Sequence, residues 1–532
     1  MKNTNAIGLG LVTVCFILSL GRIVLREAQE HEHGIVTIRF AHWQLESGVR
    51  QAFDEIARQY MKLHGDVRVE QLVIPERIYP NWIITQLVGG TAPDLVELGK
   101  GAEGDRIGRF FVSLSDYVDQ PNPYNKGTSL EGVPWRETFL DGLVGPPSFN
   151  EDLLEYYGIP NTINTIRIYY NRDLLKKITG HDSVTSGNYR EFLALCEKVQ
   201  KYSGKSQRVL IPISGSRYNA PFLLDDLFAS QTQKMVMEQQ LIPTLAGNQD
   251  EFFLRYLQGK WALTSPEIRL GFQLEQEVGH YFQPGFLQLD REDAMLYFIQ
   301  GRALMTATGS WDLSSVYSQV SFPVGVFKLP YPTRDDPVYG HNGLGAASEA
   351  GRRTDLVFGL TNSSRNREAA LDFLRFMTSK QSSQIFTDIS GWLPAVTGIK
   401  VPERTKPFYP LTRGAIGGLS ISYPNRESDR VVRNNLYLLF QPGGNFEDFA
   451  RTIEVDYRDA LIADLEDVTK ERITNVCRQD TMLAAQVALA EGDKADYHMK
   501  KAAFLSELQT AQDLANLYYP AELKKLGIAP TH

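Results

Sequence analysis

Cysteine is nearly absent. Cys15, Cys196 and Cys477 are the only three among 532 residues, which excludes a disulfide framework and a CxxC pair at zinc spacing and leaves the fold to stand on its apolar core. Cys196 lies in the helical-looking run Glu191–Val199 and reads as a buried, unreactive thiol. Positive charge is not in excess either. With 55 Lys and Arg against 63 Asp and Glu, the net charge of −8 argues against a polyanion binder, whose affinity comes from clustered cations, so nucleic acid is not expected as a partner. Motifs for HExxH zinc hydrolysis, a GxSxG nucleophile or a GxxxxGK[ST] phosphate loop are missing too. His31 and His33 flank Glu32 in a polar linker and read as incidental, so no metal, cofactor or catalytic residue is expected. Asp290, Glu292 and Asp293 precede the apolar run Ala294–Phe298, where acids suit a helix start better than acid/base chemistry. A carboxylate pair for glycoside hydrolysis is defined by its separation in space, so a glycan-active enzyme stays as a minority alternative.

What is present is ordinary globular composition, 43% hydrophobic and 22% charged, over a length that supports two or three cores. No short-period repeat or low-complexity tract interrupts it. At the start, Lys2 precedes an uncharged run from Ala6 to Leu20 that resumes after Arg22 with Ile23, Val24 and Leu25. That is long enough to span a bilayer core. Residues 1–26 are therefore a signal peptide or an uncleaved signal anchor, the anchor preferred because Ser19 and Gly21 make a poor cleavage site. Val14 before Cys15 disfavours lipid attachment there. Either way the remaining chain is exported, to a periplasmic or other extracytoplasmic location, tethered to the cytoplasmic membrane if the anchor stays.

Ile35–Phe40 alternates apolar and polar residues as a strand does, and Val49, Phe53, Ile56, Ala57 and Tyr60 then recur at helical spacing. Val67–Ile74 reads as a strand, Trp82–Val88 as part of a helix, and Asp94–Leu98 as a strand after the Gly89-Gly90-Thr91-Ala92-Pro93 break. This β-α-β-α-β order is an α/β unit. After the loop-like stretch Asp119–Pro147 come a strand at Thr165–Tyr170, a helix at Tyr189–Lys201 and a strand at Val209–Ile213. The stretch Pro221–Ala294 is mostly helical, cut by Pro243, Pro266 and Pro284, and Ala303–Thr308 is a further strand. Past Pro394 two helical stripes follow, Phe449-Ile453-Tyr457-Leu461-Leu465 and Phe504-Leu508-Ala511-Ala515-Tyr518. Gly492-Asp493 marks the break between them and Pro520 a stop.

Six segments, taken in order, resemble the extracellular solute-binding proteins of the maltose-binding-protein type. They are Phe40-Ala41-His42-Trp43; Gly89-Gly90-Thr91-Ala92-Pro93-Asp94-Leu95-Val96; and Tyr157-Gly158-Ile159-Pro160 leading into Ile168-Tyr169-Tyr170-Asn171-Arg172-Asp173-Leu174. Then come Phe298-Ile299-Gln300-Gly301-Arg302-Ala303-Leu304-Met305 with Gly309-Ser310-Trp311-Asp312, and Phe322-Pro323-Val324-Gly325-Val326 with Leu329-Pro330. The last runs from Leu360 through Asn366-Arg367-Glu368-Ala369-Ala370 to Gly391-Trp392-Leu393-Pro394. The resemblance covers roughly residues 35–400 and implies an α/β, two-lobed periplasmic-binding-protein fold with a hinge-crossing chain. Lobe one is then expected at 35–150 and 338–398 and lobe two at 151–337 and 399–444; the tail lies beyond the resemblance, and its helical stripes make 445–532 a helical C-terminal extension, expected outside the ligand pocket.

Such a fold holds its ligand at the strand ends of both lobes and closes on it. A polyhydroxylated ligand needs flat aromatic platforms and polar partners. Trp43 and Glu97 end strands of the first sheet, where open α/β folds bind ligands. Trp311 follows the small-residue turn Gly309-Ser310, and the resemblance places it at a sugar-stacking position and Tyr218 at a ligand contact. Trp392, between Gly391 and Pro394, divides between hinge packing and ligand contact; Asn161 and Asn171 are lesser candidates, since Asn at strand termini commonly satisfies turns. The function the resemblance implies is capture of a small-molecule ligand, a carbohydrate and preferably an oligosaccharide, by a monomer that delivers it to an ABC permease in the membrane. A membrane-anchored ligand-sensing ectodomain is the other alternative.

Overall fold

The computed structural model describes residues 35–150, 153, 155–184, 188–205, 209–239, 249–349, 354–492 and 495–528. The apolar N-terminal segment, His31, His33, Pro243, the side chain of Cys477 and those of Phe504, Leu508, Ala511 and Ala515 lie outside the description. Among the described residues no helix is long and apolar enough to cross a membrane.

Among the described residues nine strands build the two larger sheets: β1 Val36–His42, β2 Val67–Val73, β3 Leu95–Glu97, β4 Gly158–Ile163, β5 Ile166–Asn171, β6 Ile211–Ser214, β7 Ala303–Gly309, β8 Val324–Phe327 and β9 Thr354–Leu360. The first sheet has the order β2-β1-β3-β9-β4, the second β8-β5-β7-β6. In the first, β1 is parallel to β2 and β3, with Val36 opposite Val67 and Phe40 opposite Leu95, while β9 runs antiparallel to both β3 and β4. In the second, β6 is parallel to β7, and β5 is antiparallel to β7 and β8. The helix Ser47–Leu63 buries Val49, Phe53, Ile56, Ala57 and Tyr60, the stripe that its spacing predicts. Phe40, Phe53, Phe358, Phe373 and Phe386 interlock at ring-centroid distances of 5.0–6.0 Å to form the centre of that core.

The chain divides into two compact units, one holding the residues up to Asn150 with Glu155–Ile163 and Thr354–Val401, the other Asn164–Arg353 and Pro402 onward. The main passages thus fall at 163/164, 353/354 and 401/402, where the sequence reading placed them near 150/151, 337/338 and 398/399. The first difference arises because β4 pairs along its length with β9. The second has a polar cause: Leu344 N–H donates to the Gln233 side chain at 2.7 Å, and Gln233 donates to Gly345 O at 2.9 Å, fastening 338–349 to the second unit.

The C-terminal stripe is a wall of the second unit's core rather than an appendage. Phe449, Ile453, Tyr457 and Leu461, on the helix Phe446–Ala488, pack with Phe228, Phe252, Phe253 and Phe272. Gly492, at φ 68°, lies in the break before the helix Ala495–Lys525. Pro520 does not stop that helix, which continues to Lys525. A proline inside a helix costs about 3 kcal/mol, offset here by burial of Tyr519 and Leu523 against Leu254, Leu257 and Leu465.

Candidate functional site: two strand edges

Parallel strands end at a common edge, so β1 and β3 bring Trp43 and Glu97 together. Glu97 is fully buried; its carboxylate accepts the Trp43 backbone N–H at 3.0 Å and the Gln44 amide at 2.9 Å. Burial, then the neighbouring Asp355 carboxylate, push the Glu97 carboxyl well above its usual range against these two donors. Its task is to position Trp43, not to present an open carboxylate. Trp43 itself is half-buried, edge-on to Tyr79 at 4.9 Å, with the Lys100 ammonium 5.7 Å from its ring centre. Gly99 adopts φ 99°, and a Cβ there would lie 3.6 Å from Trp43 Cη2, so the glycine gives the backbone its turn beside the ring.

In the second unit β6 and β7 end at one edge, which is also where β5 begins, since Ile166 pairs with Gly309. A Cβ at Gly309 would clash with the Trp311 ring, which therefore folds back over the strand end and stays half-buried. Phe222, in the first turn of the helix Pro221–Gln239, meets Trp311 edge to face at 5.9 Å, and Tyr218 meets Phe222 at 5.3 Å. Tyr218 is 39% exposed, and the Arg291 guanidinium stands 5.3 Å from its ring centre. Arg291 is ion-paired with the buried Asp312, which also accepts from Thr308 Oγ1. The edge is thus a row of three aromatic rings bordered by a fixed charge pair.

Phe222 also lines an adjoining depression with Arg167, Asp226, Lys328, Tyr331 and Glu349. Arg167 is buried and donates to both Glu349 oxygens, at 2.8 and 3.1 Å, and to the carbonyls of Ile166, Pro407 and Tyr409. Burial would raise the Glu349 carboxyl, but Arg167, the Leu411 N–H and Lys328 together hold it down to about 2. Arg167 follows the passage at 163/164, Glu349 precedes that at 353/354, and residues 407–411 follow that at 401/402. One ion pair therefore fastens all three main passages on the side of the second unit.

Three expected contacts are engaged inside the fold. Trp392 is completely buried near Phe386, at 6.5 Å. Asn161, also buried, donates its amide to Leu356 O at 3.2 Å, where Leu356 has a φ of 49°. Asn171 caps the helix Arg172–Thr179 by accepting from Leu174 N–H at 2.9 Å, at the end of β5 away from Trp311. Phe222, Arg167 and Glu349 were missed; the run Ala220-Pro221-Phe222 just after Tyr218 was the local signal for the first. Among the described residues no group of acidic, His or Cys side chains could hold a metal ion.

The family model described as bacterial extracellular solute-binding protein matches residues 55–406. A multiple sugar-binding protein of Streptococcus mutans is 24% identical over 262 residues, 48% of this chain, and the match spans 55% of that relative's own length. An uncharacterized ABC transporter extracellular-binding protein of Pyrococcus horikoshii is 20% identical over 72% of this chain and 76% of its own. Among solved structures, the GacH receptor of Streptomyces glaucescens, studied unliganded and with acarbose, aligns with a TM-score of 0.54 at 15% identity, over 80% of this chain and 98% of that one. Apo RafE from Streptococcus pneumoniae aligns with a TM-score of 0.52 at 18% identity, over 80% and 98%. At these identities the structural likeness establishes the two-lobed α/β fold.

Proposed function

Because the chain belongs to the bacterial extracellular solute-binding protein family, whose members are substrate-binding proteins and not enzymes, we propose that it captures an oligosaccharide outside the cytoplasm by lobe closure and delivers it to an ABC importer. The observation that carries this reading is the row Tyr218–Phe222–Trp311 at the strand edge of the second unit, bordered by Arg291 and Asp312. Ring faces suit the C–H faces of a sugar, and fixed charges suit its hydroxyls. In the first unit Trp43, whose backbone N–H donates to Glu97, offers a ring of the same kind at its own strand edge. The sugar named for the Streptococcus mutans relative and the acarbose bound by GacH point to the same ligand class.

In this reading residues 1–26 tether the domain beside its permease, which raises its effective concentration there. The test is a thermal-shift screen of the purified protein against mono- and oligosaccharides, since a ligand bound by the folded state alone raises stability through mass action. A sugar that raises the unfolding temperature and is recovered unaltered supports the proposal. Response to no sugar, or hydrolysis of a labelled oligosaccharide, overturns it.

A further inference from the structure

We propose that the second unit carries a separate site for a small primary ammonium compound, set between the helices Pro221–Gln239 and Pro266–Gly279 and the segment 420–436. The observation is Glu275. This side chain is 5% exposed, lines a cavity with Asp225, Phe228, Phe272, Asp429 and Arg433, and makes no hydrogen bond or ion pair with any described residue. A buried carboxyl left without a partner is costly, and natural cores hold few of them.

The one guanidinium in the cavity is engaged elsewhere: Arg433 pairs with Asp429 at 2.8 Å and reaches Asp225 at 3.5 Å. Three carboxyls thus face a single positive charge; burial, then the Asp225 carboxylate, push the Glu275 carboxyl well above its usual range, and an arriving ammonium supplies the cation that stabilises its ionised form. An anion is disfavoured by Glu275 and Asp225, and no described group of acids is arranged to hold a metal ion. The cavity is open on one side and holds about two water-sized groups, enough for an –NH₃⁺ head with a short alkyl stem that runs past Phe228 and Phe272 toward the opening. Asp225, whose side chain is 54% exposed, stands at the mouth. None of Tyr218, Phe222 and Trp311 lines this cavity, so the site is distinct from the aromatic row.

Titration of the full chain with ethylammonium chloride, with tetramethylammonium chloride as control for ionic strength and N–H donation, tests the proposal by calorimetry and thermal shift. Ethylammonium is expected to bind and raise the unfolding temperature; tetramethylammonium is not. Glu275→Gln should weaken ethylammonium binding at least about tenfold and Asp225→Asn about two- to threefold, as loss of a buried and of an exposed charge-assisted contact. Should E275Q fail to fold, D225N, altered at an exposed position, carries the test alone. Equal responses to the two cations, or variants that bind ethylammonium as the unaltered protein does, overturn the site.

Discussion

Replacing Arg167 with Met keeps the length and the packing of the side chain but removes a guanidinium that serves six acceptor atoms, the two Glu349 oxygens and the carbonyls of Ile166, Pro407, Phe408 and Tyr409. Glu349 would keep only Lys328, at 3.0 Å, and the Leu411 N–H, at 2.6 Å, while the carbonyls of Ile166, Pro407 and Tyr409 would lose their donor. Breaking a buried pair from one side costs about 3–5 kcal/mol, because the remaining charge is left uncompensated. The acid titration offers a separate reading. The Glu349 carboxyl lies near 2 in the folded protein against an ordinary 4.5, a gap equivalent to about 3 kcal/mol. Since the folded value is the depressed one, this contribution is complete above about pH 4.5 and is lost as pH falls toward 2. Urea unfolding from pH 7 to pH 3, followed by fluorescence, should show R167M less stable at neutral pH and with a shallower decline on acidification. Arg167→Met/Glu349→Met should recover part of the loss by removing the stranded carboxylate. If R167M unfolds at the original midpoint and keeps the original acid dependence, the pair is not what fastens the passages.

Trp311→Ala should weaken oligosaccharide binding by about 2–4 kcal/mol while Trp311→Phe keeps part of the affinity; calorimetric titration checks it, and unchanged affinity with a large loss of stability would assign the ring to packing. Asn171→Ala should cost about 1 kcal/mol of stability through loss of a helix cap and leave ligand affinity alone, as urea unfolding beside the same titration will show. Tyr457→Ala should cost about 3–5 kcal/mol by opening a cavity in the second unit, measured by the unfolding midpoint; a change near zero would mean that the C-terminal helix is not part of that core.

What the sequence discloses and what it conceals divide by range. The stripe on Ser47–Leu63 and the stripe Phe449–Leu465 were legible because helical spacing is local, and the turn Gly309-Ser310 announced an edge tryptophan for the same reason. Pro160 obscured β4, since proline is read as breaking a strand; β4 borders its sheet, and an edge strand tolerates the missing N–H. Spacing showed that the C-terminal helix buries a face, but not that the face closes on Phe228 and Phe272, some two hundred positions earlier in the chain.

The candidate site divides in the same way. Trp43, Trp311 and Tyr218 were expected at strand edges because a strand end or its turn marks them and, for the last two, because of the resemblance, and each stands at such an edge; Glu97 could be placed at the edge but not seen to be closed over by Trp43 and Gln44. Arg167 is the extreme case. It stands on an apolar strand, and its partners Glu349 and Tyr409 lie 182 and 242 positions away. A chain that passes repeatedly between two units must be held at each passage, and by contacts as distant in sequence as the passages themselves. Those residues carry no local signature. Their identification depends on burial and hydrogen bonding, and so on the fold.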